Sequence, residues 1–401
     1  MKHIREIDQK DQTVLIMQVE NEMGTLQTKR DFSDVANTAF NGLVPSELMN
    51  YLEKNKSNIH PGVLEAWKKQ GFKKSGNWEE VFGKGVRFEY WKELSYLTEE
   101  MFMAWNYAKY VEKIVTAGKA EYNIPMYVNG WLKGPGVNRD APGDYPSGGP
   151  SAHVIDMWRA GAPAIDFIAP DLYITGEWRY VCDSYTRSGN PLFIPETSAG
   201  EAGAARAFYT FGKYNTILFS PFGMDGNGGF IFTVSPADLL QMKDAYSVLK
   251  QLAPFIAERQ GSDNLKGLLV DQNNKVDSVT IGGYTIKGSL GRRFGGAELA
   301  GVDIFGTGPG AAGSQPAPEQ VGGATIICMA PGEFIISGRN MSIDFSPAIP
   351  SDSSNASFLS LEEGTFVDNK WVPLQRLNGD EFHIALSKDK SKIFKVSMYQ
   401  Y

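Results

Sequence analysis

Five short apolar runs separated by helix-like segments fill the first two thirds of the chain, at residues 13–19, 124–129, 165–169, 191–195 and 216–220. Each is mostly apolar rather than alternating, the pattern of a strand buried on both faces. Between the first two, Leu48 and Tyr51, then Val63, Leu64 and Trp67, then Phe102, Trp105, Val111 and Ile114 recur at helical spacings. Further helices are predicted near 152–161, 201–212 and 236–257. Such alternation specifies parallel β/α units. Polar or aromatic residues close each strand, which suits a (β/α)8 TIM barrel, where reactive groups gather at the carboxy-terminal strand ends. A doubly wound open sheet is the structural alternative, but no Gly-rich phosphate turn follows any strand.

Beyond residue 262 the period changes from helical to two. Runs at 267–270, 277–281, 324–328, 333–336, 341–345, 381–385 and 393–396 are punctuated by Gly, Asn, Asp and Pro. That pattern predicts an antiparallel β-sandwich. The expected domains are therefore 1–260, the barrel portion, and 261–401, the sandwich. The Gly/Ala/Pro-rich stretch 295–323 reads as a long loop.

Composition narrows the function classes. A net charge of −7 without Lys/Arg clusters excludes a nucleic-acid surface. No apolar run reaches the roughly 20 residues of a membrane span, and the charged start lacks a signal peptide's apolar core. Two distant cysteines, Cys182 and Cys328, form neither a disulfide framework nor a metal cluster. The four His (His3, His60, His153 and His383) show no metal-ligand spacing and read as structural.

Two glutamates carry the strongest chemical signal. Gln18-Val-Glu-Asn-Glu-Met-Gly24 closes the first strand, and Ile194-Pro-Glu-Thr197 closes the fourth. A single Glu after a buried strand is usually a solvated loop residue or a capping partner. Two at strand tips facing a barrel mouth form the pair that retaining glycoside hydrolysis needs: a nucleophile, and an acid that later serves as base. For that mechanism the carboxyls of Glu22 and Glu196 should lie about 5–5.5 Å apart. Glu20 should turn away or bond structurally.

The stretches Arg5-Glu-Ile-Asp8 and Gln18 to Gly24 resemble glycoside hydrolase family 35, in a bacterial β-galactosidase-like branch. Pro125-Met-Tyr-Val-Asn129, Tyr145-Pro-Ser-Gly-Gly-Pro150, Ala169-Pro-Asp-Leu-Tyr173 and Asn190-Pro-Leu-Phe-Ile-Pro-Glu196 extend the resemblance over essentially the whole chain. It implies Glu22 as acid/base and Glu196 as nucleophile. It also implies Asn21 at the sugar 2-hydroxyl, Tyr173 orienting Glu196, Asn129 and Trp131 as hydroxyl and stacking contacts, and Phe222 with Asp225 lining the pocket. The implied activity is release of terminal β-linked galactose from oligo- or polysaccharides, with no metal or organic cofactor, in an extracytoplasmic setting. Oligomeric state stays open.

In that family the Asn21-Glu22 pair ends strand four, so strands four to eight are expected here and three β/α units would precede residue 1. Pro195-Glu196-Thr197 also departs from the nucleophile context of better-known members. Three rivals remain: another β-glycoside specificity, an inactive truncated fragment, and a carbohydrate-binding protein.

Overall fold

The computed structural model describes residues 1–84, 87–88, 93–94, 97–133, 141–173, 176–225, 234–290, 293–294, 297–298, 320–349, 355–379 and 382–401. It is a mixed α/β protein with a curled parallel half-barrel sheet and separate antiparallel sheets. Contacts divide it into two compact units, residues 1–197 with 217–220, and residues 198–216 with 221–401. The change of pattern near 260 is the step from a helix ending at Arg259 to a strand beginning at Leu265. The units divide elsewhere, since two helices before that point group with the antiparallel strands.

The first unit begins with α1 (Lys2–Asp8), β1 (Met17–Gln18), α2 (Asp34–Asn41), α3 (Ser46–Lys54), α4 (Pro61–Lys69) and α5 (Trp78–Phe82). A short hairpin, β2 (Arg87–Phe88) with β3 (Glu93–Leu94), leads to the long α6 (Leu97–Glu121). Then follow β4 (Met126–Trp131), α7 (Ile155–Gly161), β5 (Phe167–Leu172), α8 (Trp178–Tyr185), β6 (Phe193–Thr197) and β7 (Leu218–Pro221). The strands lie in the order β1-β4-β5-β6-β7, with parallel ladders from β1 through β6.

Local chemistry sets these elements. Asn77 and Glu80 form a capping box that starts α5, and Pro61 opens α4 where its missing N–H costs nothing. Residues 13–19 do not form the full strand expected of them. The Asp8 carboxylate takes the Thr13 and Val14 N–H groups at 2.9 and 2.8 Å. Only Met17 and Gln18 are left to pair with Met126 and Tyr127.

Trp67, Trp78 and Trp158 are fully buried in the helical part of this unit. So is Glu100, whose carboxylate meets His153 Nε2 and Tyr145 Oη, each at 2.8 Å. Burial alone would raise the Glu100 pKa; the His153 charge and these bonds hold it below the ordinary value. His153 is therefore structural, and so is His60, buried with its N–H on Asp156 at 2.7 Å.

The second unit holds α9 (Gly200–Lys213) and α10 (Pro236–Arg259), then β8 (Leu265–Asp271), β9 (Val276–Ile281), β10 (Tyr284–Ser289) and the hairpin β11 (Arg293–Phe294) with β12 (Ala297–Glu298). The chain continues through β13 (Val321–Ala330), β14 (Glu333–Arg339), β15 (Met341–Pro347), β16 (Ala356–Val367), β17 (Lys370–Arg376), β18 (Ile384–Leu386) and β19 (Lys392–Gln400). A six-stranded sheet runs β17-β16-β19-β14-β13-β8 and a four-stranded one β18-β15-β10-β9. Both sheets feed one apolar cluster, with Leu268, Ile326, Phe334 and Val396 from the first and Ile286, Ile343 and Ile384 from the second. Strands β10, β16 and β17 were not expected from sequence. Most of the predicted 295–323 loop lies outside the described residues. Among the described residues no helix is long and apolar enough to cross a membrane.

Small residues dock α9 on β13 and β8. Ala204, Ala205 and Ala207 are buried on the helix, and Thr325 Oγ1 donates to the Phe208 carbonyl at 2.6 Å. A Cβ at Gly323 would sit 1.9 Å from the Ala205 carbonyl oxygen, and one at Gly267 would sit 2.5 Å from that of Tyr209. No side-chain rotation relieves a clash with backbone. Gly323→Ala is therefore expected to destabilise the protein by about 3 kcal/mol or more. Urea unfolding checks this, and a midpoint within error of the wild type would show that the helix can retreat freely.

Candidate active site

The parallel register brings the polar strand ends of the first unit together. Trp131 on β4 pairs with Asp171 on β5, and Asp171 pairs with Glu196 on β6. Val19 N–H bonds to the Tyr127 carbonyl at 2.8 Å, so the chain leaves β1 beside β4 and enters the 20–24 turn there. Thr197 Oγ1 donates to the Leu172 carbonyl at 2.7 Å, tying β6 to β5 next to Glu196. At Gly130 any Cβ would meet the Pro150 carbonyl oxygen at 2.6 Å, so this position must be glycine for β4 to lie against that loop.

Glu20 and Glu22 both adopt left-handed backbone, with φ of 60° and 43°. Non-glycine residues hold this conformation only where their surroundings enforce it. At Glu22 the enforcing group is Asn129, 1% exposed at the centre of β4. Its Oδ1 accepts from the Glu22 N–H at 3.2 Å and from Gln18 Nε2 at 3.0 Å. Its Nδ2 donates to Asp171 Oδ2 at 2.7 Å and to Asn21 Oδ1 at 3.1 Å. Gln18 Nε2 also reaches Asn21 Oδ1 at 2.9 Å, and Gln18 Oε1 accepts from Tyr127 Oη at 2.7 Å.

The carboxyls act on one another. Burial raises the Glu196 pKa, the hydrogen bond from Tyr173 lowers it, and the Glu22 charge raises it. That bond runs from Tyr173 Oη to Glu196 Oε2 at 3.1 Å. Asp171, 3% exposed, is displaced far more strongly. Burial drives its pKa well above the ordinary carboxylate range, and the charges of Glu196 and Glu22 push the same way. Among the described residues no donor bonds to its Oδ1. Burial, with the Asp171 and Glu196 charges, likewise pushes the Tyr127 phenol up to about 12.

Of the residues singled out from sequence, Glu22, Glu196, Asn21, Asn129 and Tyr173 meet in this network. Trp131 is half-buried at the end of β4. Asn129, expected at a sugar hydroxyl, is instead enclosed, its amide committed to four protein groups. Glu20 accepts from Tyr110 Oη at 3.1 Å, on an exposed surface. Phe222 and Asp225 lie in the turn after β7 and group with the second unit. Sequence reasoning missed Gln18, Tyr127 and Asp171. Among the described residues no group of His, Cys, Asp and Glu has the geometry to hold a metal ion.

Residues 242–387 match a family described as a domain of unknown function, DUF5597. This domain is found in some glycosidase-associated proteins. The match starts inside α10, at Met242, and so takes in a helix as well as the antiparallel strands. No curated protein matches the chain.

The raised Asp171 pKa has a thermodynamic consequence with a definite sign. The folded state keeps a proton that the unfolded chain releases near pH 4, so stability falls as pH rises from there toward the raised value. Asp171→Asn has no such titration. Its stability relative to the wild type should therefore climb steadily between mildly acidic and alkaline pH. Urea midpoints of both proteins across that range check this, and a pH-independent difference would show that Asp171 is ionised in the fold.

Proposed function

We propose that this protein is a retaining glycoside hydrolase resembling family 35, acting on terminal β-linked galactose. The observation that carries the reading is that, beyond burial, the charge of Glu22, in the turn after β1, raises the pKa of Glu196 at the end of β6, with the Tyr173 phenol bonded to Glu196. In this reading β1, β4, β5, β6 and β7 are strands four to eight of a (β/α)8 barrel, and the two antiparallel sheets form a β-sandwich. Glu196 attacks the anomeric carbon while Glu22 protonates the leaving oxygen. Glu22 then removes a proton from the water that cleaves the glycosyl ester. Asn21 uses its Oδ1 on Gln18 and Asn129, which leaves its Nδ2 to meet the sugar 2-hydroxyl. Trp131 is the stacking surface. Asn129 holds the turn that carries Glu22 and makes no sugar contact.

The carboxyls do not select the sugar, so a panel of nitrophenyl glycosides decides specificity. Glu196→Gln should abolish turnover, because it removes the nucleophile. Glu22→Gln should lose about 10²–10⁴-fold on unactivated galactosides and much less on nitrophenyl ones, which need little proton assistance. Proton NMR should show β-galactose as the first product. Inactivity on every glycoside together with retained sugar binding would favour a carbohydrate-binding protein. Equal losses in both variants regardless of leaving group would overturn the roles.

Tyr173→Phe offers a finer check. Its hydrogen bond lowers the Glu196 pKa, so removing it raises that pKa. Glu196 must be ionised to attack, so the acid limb of the kcat/KM profile should move to higher pH. A shift of the alkaline limb alone would assign Tyr173 to the other carboxyl.

A further inference from the structure

Two carboxyls suffice for retaining hydrolysis, yet this site contains a third, the most enclosed of the set. Asp171 Oδ2 is satisfied by Asn129 Nδ2 at 2.7 Å, while Oδ1 is buried and lacks a donor among the described residues. Asn129 ties Glu22 to Asp171, accepting from the Glu22 N–H and donating to Asp171 Oδ2. Beyond burial, a side-chain hydrogen bond with Glu22 raises the Asp171 pKa, and Glu196 is the register partner of Asp171 on β6. The phenols of Tyr127, Tyr173 and Tyr185 also feel the Asp171 charge. Tyr127 donates to Gln18, Tyr173 to Glu196 and Tyr185 to the Pro150 carbonyl, so each phenolic proton is already directed elsewhere. A buried carboxylate oxygen without a donor is costly. Two facing carboxyls remove that cost by holding one proton between them.

We propose that Asp171 and Glu22 form a shared-proton pair in which Asp171 positions Glu22 and sets its proton affinity. This rests on the glycosidase reading of Glu22 and Glu196. In the resting site Asp171 Oδ1 carries the proton and donates it to the Glu22 carboxylate. For reaction the proton crosses to Glu22, leaving Asp171 ionised. Glu22 then gives it to the glycosidic oxygen as the bond from the anomeric carbon to that oxygen breaks and a bond to Glu196 forms. Glu196 loses its charge on becoming an ester, and the pair gains one, so the total charge of the three acids is unchanged. In the second half Glu22 takes a proton from water, the hydroxyl bonds to the anomeric carbon, and Glu196 recovers its charge. Its returning negative charge favours reprotonation of the pair. Asp171 thus links the covalent state of Glu196 to the proton held by Glu22, without touching the sugar.

The test uses the full chain and has two arms. In the first, infrared spectra are taken at neutral and alkaline pH, with aspartate labelled with carbon-13 at the side-chain carboxyl. A label-sensitive protonated-carboxyl band at neutral pH that disappears at alkaline pH and is missing from Asp171→Asn is expected. No such band in the wild type would overturn the proposal, whatever the enzyme's activity and however the variant folds. In the second arm, kcat/KM of Asp171→Asn is followed against pH on a β-galactosyl disaccharide, whose sugar leaving group needs the proton from Glu22. Asparagine fills the same space and donates to Glu22 but has no charge to repel a neighbour. The alkaline limb should therefore move to lower pH by about one unit or more, with the acid limb in place. A uniform loss of kcat with an unmoved alkaline limb would overturn the proposal and leave Asp171 a packing residue. A wild type that shows the band but hydrolyses no glycoside would instead overturn the glycosidase reading.

Discussion

The Asn129 carboxamide orients the candidate site, because one unambiguous donor fixes every bond around it. The Glu22 backbone N–H can only donate, so the end of Asn129 that meets it is the oxygen. The other end must then be nitrogen, which suits an acceptor on Asp171 and requires Asn21 to present its oxygen. Gln18 follows by the same logic, donating through Nε2 and accepting from Tyr127. Three strand ends and one turn are thus set by a single buried amide. The left-handed backbone at Glu22 persists because its N–H has this partner, in keeping with strained residues being held by over-determined surroundings.

Much of the parallel half was legible in the sequence because its strands are buried on both faces. Residues 165–169 and 191–195 read as mostly apolar runs, and β5 and β6 lie at or beside them. The carboxyl pair was legible for the same reason, since each Glu ends such a run. The run at 13–19 misled because Asp8, outside it, captures two of its N–H groups. Asp171 was missed because Pro170-Asp171 reads as turn chemistry. Only the register of β5, with Pro170 opposite Gly130, places it inside a sheet.

The antiparallel half was harder to read for a different physical reason. β17 is mostly exposed and contains Pro373, and β16 buries few of its residues fully, so neither shows a clean period of two. The Ala- and Gly-rich face of α9 announces a close neighbour but not which one. Only the contact of Ala205 with Gly323, far along the chain, identifies β13 as that neighbour. Interactions of this range leave no local period to detect.

Strand spacing disfavours ionising all three acids at once. Register partners on adjacent strands lie about 5 Å apart, and Asp171 and Glu196 are such partners. Were their side chains to run parallel at that spacing, two like charges at an effective dielectric near 20 would repel by about 3 kcal/mol, which exceeds two pKa units. Burial adds to this for Asp171, which is almost wholly enclosed, more than for Glu196, which is half-buried and has the Tyr173 donor. Negative charge settles where donors are, so Glu196 takes the charge and Asp171 keeps the proton. Glu22 adds its own charge to the same neighbourhood and lowers the acidity of Asp171 further. Any reaction that neutralises Glu196 removes one of these repulsions and frees the proton to move. In the proposed reaction, the distance between two strands would thereby link the charge of Glu196 on β6 to the proton held by Asp171 on β5.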